Sequence, residues 1–173
     1  MAIVRLDKIQ AIYSGNIESI LPQDHHVGID RFQNGVPVKL VQLAPDEREV
    51  YIVEPVTAVG EEVLIHATPE VSYGPWDIPL ANFELRADQV GRAYHFTEGD
   101  VFSITLDLVT ETADADVGNF LVADINNEWM WESVNAIPAN TRFAAEIIEE
   151  TTLGFDQDDA IAVRVVQVGS TRA

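Results

Sequence analysis

Residues 101–108 read Val-Phe-Ser-Ile-Thr-Leu-Asp-Leu, and their alternation decides the fold class. Phe102, Ile104, Leu106 and Leu108 fall on one face of an extended chain; Ser103, Thr105 and Asp107 fall on the other. Side chains of a strand alternate with period two, so the segment predicts a strand with one face in a core and one toward water. Outward from it, Ile161–Val168 is rich in β-branched residues and reads as a more buried strand. Val38–Leu43, Glu49–Val56, Glu62–Ala67, Phe83–Ala87, Ala93–Thr97, Asn119–Ala123, Trp129–Val134 and Phe143–Ile148 are also strand-like. A helix over Ala139–Glu150 competes with the last of these, because Phe143, Ile147 and Ile148 suit either a helix face or a strand end.

Turn chemistry bounds these runs. Asn34-Gly35 tolerates positive φ at both residues, and Pro37 cannot donate to a ladder, so a strand should begin there or at Val38. Glu98-Gly99-Asp100, Val117-Gly118-Asn119 and Asp124–Asn127 separate further strands. Many short strands with regular turns predict a mainly β protein: an antiparallel β-sandwich or barrel-like core with an extended N-terminal arm and at most one or two short helices. The arm covers residues 1–20, where apolar alternation is poor before the break at Pro22–His26. The β-rich domain then covers 21–173, with a division into two small β subdomains near 87–92. Residues 69–80, rich in proline and aromatics, read as a surface loop.

Composition limits the partners. The chain of 173 residues carries 29 acidic against 10 basic side chains, a formal charge of −19. Neither half is basic: 6 basic residues face 13 acidic up to Arg86, and 4 face 16 beyond it. A duplex-binding surface needs clustered Lys and Arg to displace counterions, so nucleic acid and anionic membrane are not expected partners. No apolar run approaches the ~18 residues of a spanning helix, and the N-terminus lacks an apolar signal core, so synthesis in the cytoplasm as a soluble protein is expected. Cysteine is absent, which removes disulfides, thiolate metal sites and cysteine nucleophiles.

Catalytic constellations do not emerge. No nucleophile elbow, phosphate-cradling glycine loop or dinucleotide fingerprint occurs. His25-His26 are adjacent, so on a strand they point to opposite faces and do not converge on one metal. His66 and His95 stand singly inside strands and read as partly buried structural histidines. The acidic loops Glu111–Asp116 and Asp156–Asp159 raise calcium, but neither has the EF-hand glycine and closing glutamate. The expectation is no enzyme, no metal and no cofactor. Trp129 and Trp131 share a face by alternation and read first as core. If exposed, they would form with Tyr73 and Trp76 a stacking platform for a sugar.

The order of segments carries a resemblance. Lys-Ile-x-x-Ile-x-Ser-Gly-Asn-Ile-Glu-Ser stands at Lys8–Ser19, and Asn-Gly-Val-Pro-Val at Asn34–Val38. Ala44–Tyr51, Val63–Val71, Ala87–Tyr94, Glu98–Ser103, Val117–Ala123 and Ile147–Gly154 follow, then a valine-rich strand. Together these resemble the small head proteins, decoration or minor capsid, of tailed phages. The resemblance implies a structural protein on the outer surface of the virion head, binding the major capsid protein lattice and stabilising the expanded shell. It implies self-association about local symmetry axes, with a trimer the natural state at threefold positions. The lattice-contacting residues would then be Ile3, Val4, Arg5, Leu6, Ile9, Ile12 and Tyr13 of the arm, through added main-chain hydrogen bonds, with Tyr73 and Trp76 of the loop. The alternative is a carbohydrate-binding or adhesion module on a virion surface.

Overall fold

The computed structural model describes residues 3–8, 16–22, 32–45, 47–69, 83, 85, 89–110, 115–154 and 157–169. Within them the chain is mainly β. The strands are β1 (Val4–Lys8), β2 (Ile17–Pro22), β3 (Pro37–Leu43), β4 (Val50–Glu54), β5 (Leu64–His66), β6 (Gly91–His95), β7 (Val101–Thr105), β8 (Val109–Thr110), β9 (Phe120–Ala123), β10 (Trp131–Val134), β11 (Phe143–Leu153) and β12 (Asp158–Val168). They form two units. A seven-stranded sheet has the order β1-β7-β12-β11-β9-β10-β8, and β2-β4-β3-β5-β6 close into a barrel. Pairing is antiparallel except for β2 with β4 and β10 with β8.

The deciding segment is a strand for five residues, but only its apolar face behaves as alternation predicts: Ser103 and Thr105, expected toward water, are fully buried, because β1 and β12 flank the strand and Ser103 Oγ bonds Asp7 of β1. Phe102 and Ile104 are fully buried in the core. At Leu106 the strand stops, and Leu106–Leu108 make a single 3-10 turn that still delivers Leu108 to the core. Phe143–Leu153 is strand, not helix; its long antiparallel ladder with β12 absorbs two register shifts, at Ala144/Ala145 and Ile147/Glu149. The second shift leaves Ile148 as the extra residue on β11, and this bulge explains why the apolar positions there imitate a helical period.

The segment read as an arm supplies two strands. β1 pairs with β7 across a sequence gap of about a hundred residues and lies at the sheet edge. β2 is an integral barrel strand between β4 and β6. Of the Phe83–Ala87 segment, Leu85 makes an isolated antiparallel bridge with Phe32. The chain passes from barrel to sheet between His95 and Val101, and one core cluster runs through both units, from Ile20 and Val38 to Ile147 and Val165.

Aromatic rings weld the two. Phe96, just after the barrel's last strand, lies 5.0 Å from Phe102 and 4.6 Å from Phe143 of the sheet. Trp131 stands 5.4 Å from Phe143, and Trp129 meets Phe32 edge-on at 4.9 Å. Rings at such separations add about 0.5–1.5 kcal/mol per pair beyond their burial.

Candidate functional site

The sheet edge at β1 is the first candidate, and its geometry follows from the ladder. The Thr105 N–H donates to the Ile3 carbonyl at 3.1 Å, and the Ile3 N–H donates to Thr105 Oγ1 at 3.1 Å. Antiparallel bonding alternates, so the phase set at Ile3 turns the Val4 N–H and C=O away from β7. Among the described residues no strand pairs with this outer side. Val4 and Leu6 turn their side chains against the protein's own core, while Arg5 is exposed and held by Asp7 and by Ser103 Oγ at 3.4 Å. Ser103 Oγ in turn donates to Asp7 Oδ2 at 2.6 Å. What these residues offer a partner is therefore main chain more than side chain. Ile9, Ile12, Tyr13, Tyr73 and Trp76 lie outside the described residues.

Beside β1 runs an open cleft of about 410 Å³, walled by Ile3, Leu6, Pro69 and Tyr94. Asn34 and Thr68 line it too. The Asn34 side chain imitates a strand there: its Oδ1 accepts from the Thr68 N–H at 2.7 Å and its Nδ2 donates to the Thr68 carbonyl at 2.9 Å. Below them His66 is fully buried. Its Nδ1 faces the Gln33 carbonyl at 2.7 Å, which can only accept, so the proton sits on Nδ1. Nε2 is then the acceptor for the Thr68 hydroxyl at 2.8 Å, whose oxygen accepts the Arg92 N–H at 2.9 Å. Burial pushes the His66 pKa down to about 4, against a smaller upward pull from the Gln33 carbonyl, so the ring is neutral.

Asn34-Gly35 forms the expected turn, with Gly35 at φ +92°, but the turn is buried. A Cβ on Gly35 would stand 2.7 Å from Leu108 Cδ1. The Gly35 carbonyl accepts Trp131 Nε1–H at 2.8 Å, a direct bond from sheet to barrel. Trp131 is fully buried and Trp129 nearly so, and Trp129 precedes the strand at φ 66°. Neither ring offers a face to a sugar, because both are packed against phenylalanines.

A second polar cluster joins barrel and sheet near the surface. His95 Nε2 lies 3.2 Å from Glu18 Oε1 of β2, and its Nδ1 lies 3.0 Å from Glu62 Oε1. Arg142 reaches Glu62 at 3.8 Å, and its Nε donates to the Gly169 carbonyl at 2.7 Å. The Arg142 N–H donates to the Val59 carbonyl at 2.8 Å, tying the start of β11 to the barrel's β4–β5 loop. The bond to Glu62 raises the His95 pKa above its ordinary 6.5, burial opposes it, and the bond to Glu18 adds to the rise. The sequence shows His95 as a lone strand histidine; its partners stand 77 and 33 residues away, and no local signal unites them.

The calcium loops are only partly visible. Asp116 of the first and Gln157, Asp158 and Asp159 of the second are described, and among the described residues no group of three or more acidic or histidine side chains converges as a metal site would. Asp124 instead organises its own turn. It accepts the Asn126 and Asn127 N–H groups at 2.8 and 3.1 Å, the Asn127 amide at 2.8 Å and the Thr110 hydroxyl at 2.7 Å. Compared with family models, curated proteins and solved structures, the chain has no match in any of the three.

Proposed function

We propose that this chain is a structural protein without catalytic activity that attaches to a larger assembly, and that the assembly is the head of a tailed phage. In this reading it is made in the host cytoplasm and decorates the outer surface of the expanded shell. There it binds the major capsid protein and associates with copies of itself, as trimers at threefold positions. The resemblance of the segment order supplies the identity of the assembly. The observation that carries the attachment is the β1 edge: outward-facing main-chain groups at Val4, beside a partly apolar cleft of about 410 Å³. A partner strand added there would gain ladder hydrogen bonds and place alternate side chains in the cleft. Repetition over a lattice multiplies a weak contact into firm attachment. The charge of −19 favours an outward position, away from packaged DNA.

The test is occupancy on purified expanded heads, read by electron microscopy and co-sedimentation. Density for this chain on the outer shell is expected, and its absence at saturating protein overturns the reading. Val4→Pro should remove most of the binding while the far-ultraviolet spectrum stays that of the folded protein, because an edge proline blocks only the outward N–H. Deleting Met1–Glu18 is a poorer probe, since it strips β7 of one of its two neighbours and cuts into β2.

A further inference from the structure

The polar cluster around His95 has a property that attachment does not use. We propose that Glu18, His95 and Glu62 of the barrel, with Arg142 leading into the sheet, form a pH-sensitive latch: His95 clamps Glu18 to Glu62, Glu62 carries the link on to Arg142, and the clamp is closed while the His95 ring carries both protons and loosened when it loses one. The geometry requires the double protonation. Each ring nitrogen faces a carboxylate oxygen, at 3.2 Å on the Glu18 side and 3.0 Å on the Glu62 side. A carboxylate only accepts, so both contacts are bonds only if both nitrogens donate. A neutral imidazole would set a lone pair against one carboxylate, and a favourable contact becomes a repulsive one.

Every described charged group that faces the ring takes part. β2 contributes Glu18, the turn before β5 contributes Glu62, and the residue leading into β11 contributes Arg142 through Glu62. Glu61, the adjacent carboxylate, is turned away: it holds Lys39 at 2.7 Å and the N–H groups of Thr57 and Ala58. The cluster therefore holds two negative and two positive charges with the latch closed, and one positive fewer once His95 is neutral.

The pH window follows from the signs. The His95 pKa is raised, mainly by Glu62, so its contribution to stability is complete below 6.5 and is lost as pH rises through the raised value. The Glu62 pKa is lowered below 4.5, mainly by His95, so its contribution is complete above 4.5 and is lost as pH falls through the lowered value. The joint is thus tightest between pH 4.5 and pH 6.5 and loosens as pH rises through the raised His95 value.

Nuclear magnetic resonance of the histidine rings tests the charge state directly. The His95 signals should titrate with a midpoint above 6.5, and a midpoint at or below 6.5 overturns the proposal. Melting temperature should fall by about 2–4 °C on going from pH 6.5 to pH 9, and His95→Gln should abolish that fall. An equal fall in the variant overturns the latch. Over the same interval the amide-exchange protection factor of Arg142, whose N–H crosses the joint to Val59, should drop about fivefold in the wild type. Unchanged protection while His95 titrates would reduce the cluster to a surface ion pair. Should His95→Gln fold poorly, Glu18→Gln keeps the histidine and must lower its midpoint; an unmoved midpoint is equally fatal.

Discussion

Two of the joints between barrel and sheet work by different physics. The inner joint runs through Asn34, Gly35, His66 and Trp131. It is buried and uncharged, made of fitted shapes and neutral hydrogen bonds, with His66 kept neutral by burial. The outer joint runs through Glu18, His95, Glu62 and Arg142 and is half-exposed and ionic. Its histidine is of the same residue type on the neighbouring strand. The registers Leu64↔His95 and His66↔Ala93 even put both rings on one face of the β5–β6 ladder. Depth and partners alone separate them. A ring surrounded by Phe32 at 4.3 Å and a backbone carbonyl sheds its proton, whereas a ring between two carboxylates keeps it. The buried joint makes stability depend on packing; the exposed joint makes it depend on the charge of His95.

Breaking the inner joint should cost most. Trp131→Ala removes the largest fully buried side chain among the described residues and orphans the Gly35 carbonyl, and should lower unfolding free energy by about 3–5 kcal/mol in a denaturant titration. A loss below about 1 kcal/mol would mean that Phe143 and Phe102 collapse into the space and that the joint is not specific. Gly35→Ala should follow, at about 2–4 kcal/mol. It adds a methyl 2.7 Å from Leu108 Cδ1 at a φ of +92° that residues with a Cβ rarely adopt.

Acid should then separate the two histidines. The His66 pKa falls from 6.5 unfolded to about 4 folded, so its contribution is complete above 6.5 and is lost progressively as pH drops to 4. That difference is worth roughly 3 kcal/mol. His95 loses nothing over this interval, since its contribution is complete below 6.5. A stability profile between pH 7 and pH 4.5 should therefore slope downward in wild type and flatten in His66→Gln. A slope that survives the substitution would assign the acid sensitivity elsewhere.

These joints also mark what the sequence discloses. Apolar and β-branched runs find nearly every strand from β3 onward, because each sets apolar side chains against the core: alternation marks Phe102 and Ile104, and β-branched content marks Val163 and Val165. The Asn34-Gly35 turn is visible for the same local reason. β1 and β2 are not, since Val4–Lys8 and Ile17–Pro22 owe their conformation to partners about a hundred and about seventy residues ahead. His95 is unreadable as a site for a related reason: its charge is set by Glu18 and Glu62, which only the closed barrel brings to it. Trp131 is readable as core, but its bond to Gly35 spans 96 residues and no pattern announces it.

The outer joint yields the smallest effect and the sharpest discrimination. Arg142 serves it twice, through its backbone N–H to Val59 and through its guanidinium to Gly169 and Glu62. Arg142→Lys retains the backbone bond and the charge, but one ammonium cannot reproduce the planar fork that reaches both acceptors. The expected cost is about 1 kcal/mol, the worth of one hydrogen bond to a charged group in a partly wet site. Salt then divides that cost. In ~1 M salt the screening length falls to about 3 Å, which weakens the Glu62 contact at 3.8 Å far more than the 2.7 Å bond to Gly169. A penalty that persists in salt therefore belongs to the Gly169 bond, and one that vanishes belongs to the ion pair. A penalty as large as that of Trp131→Ala would invert the ranking of the two joints.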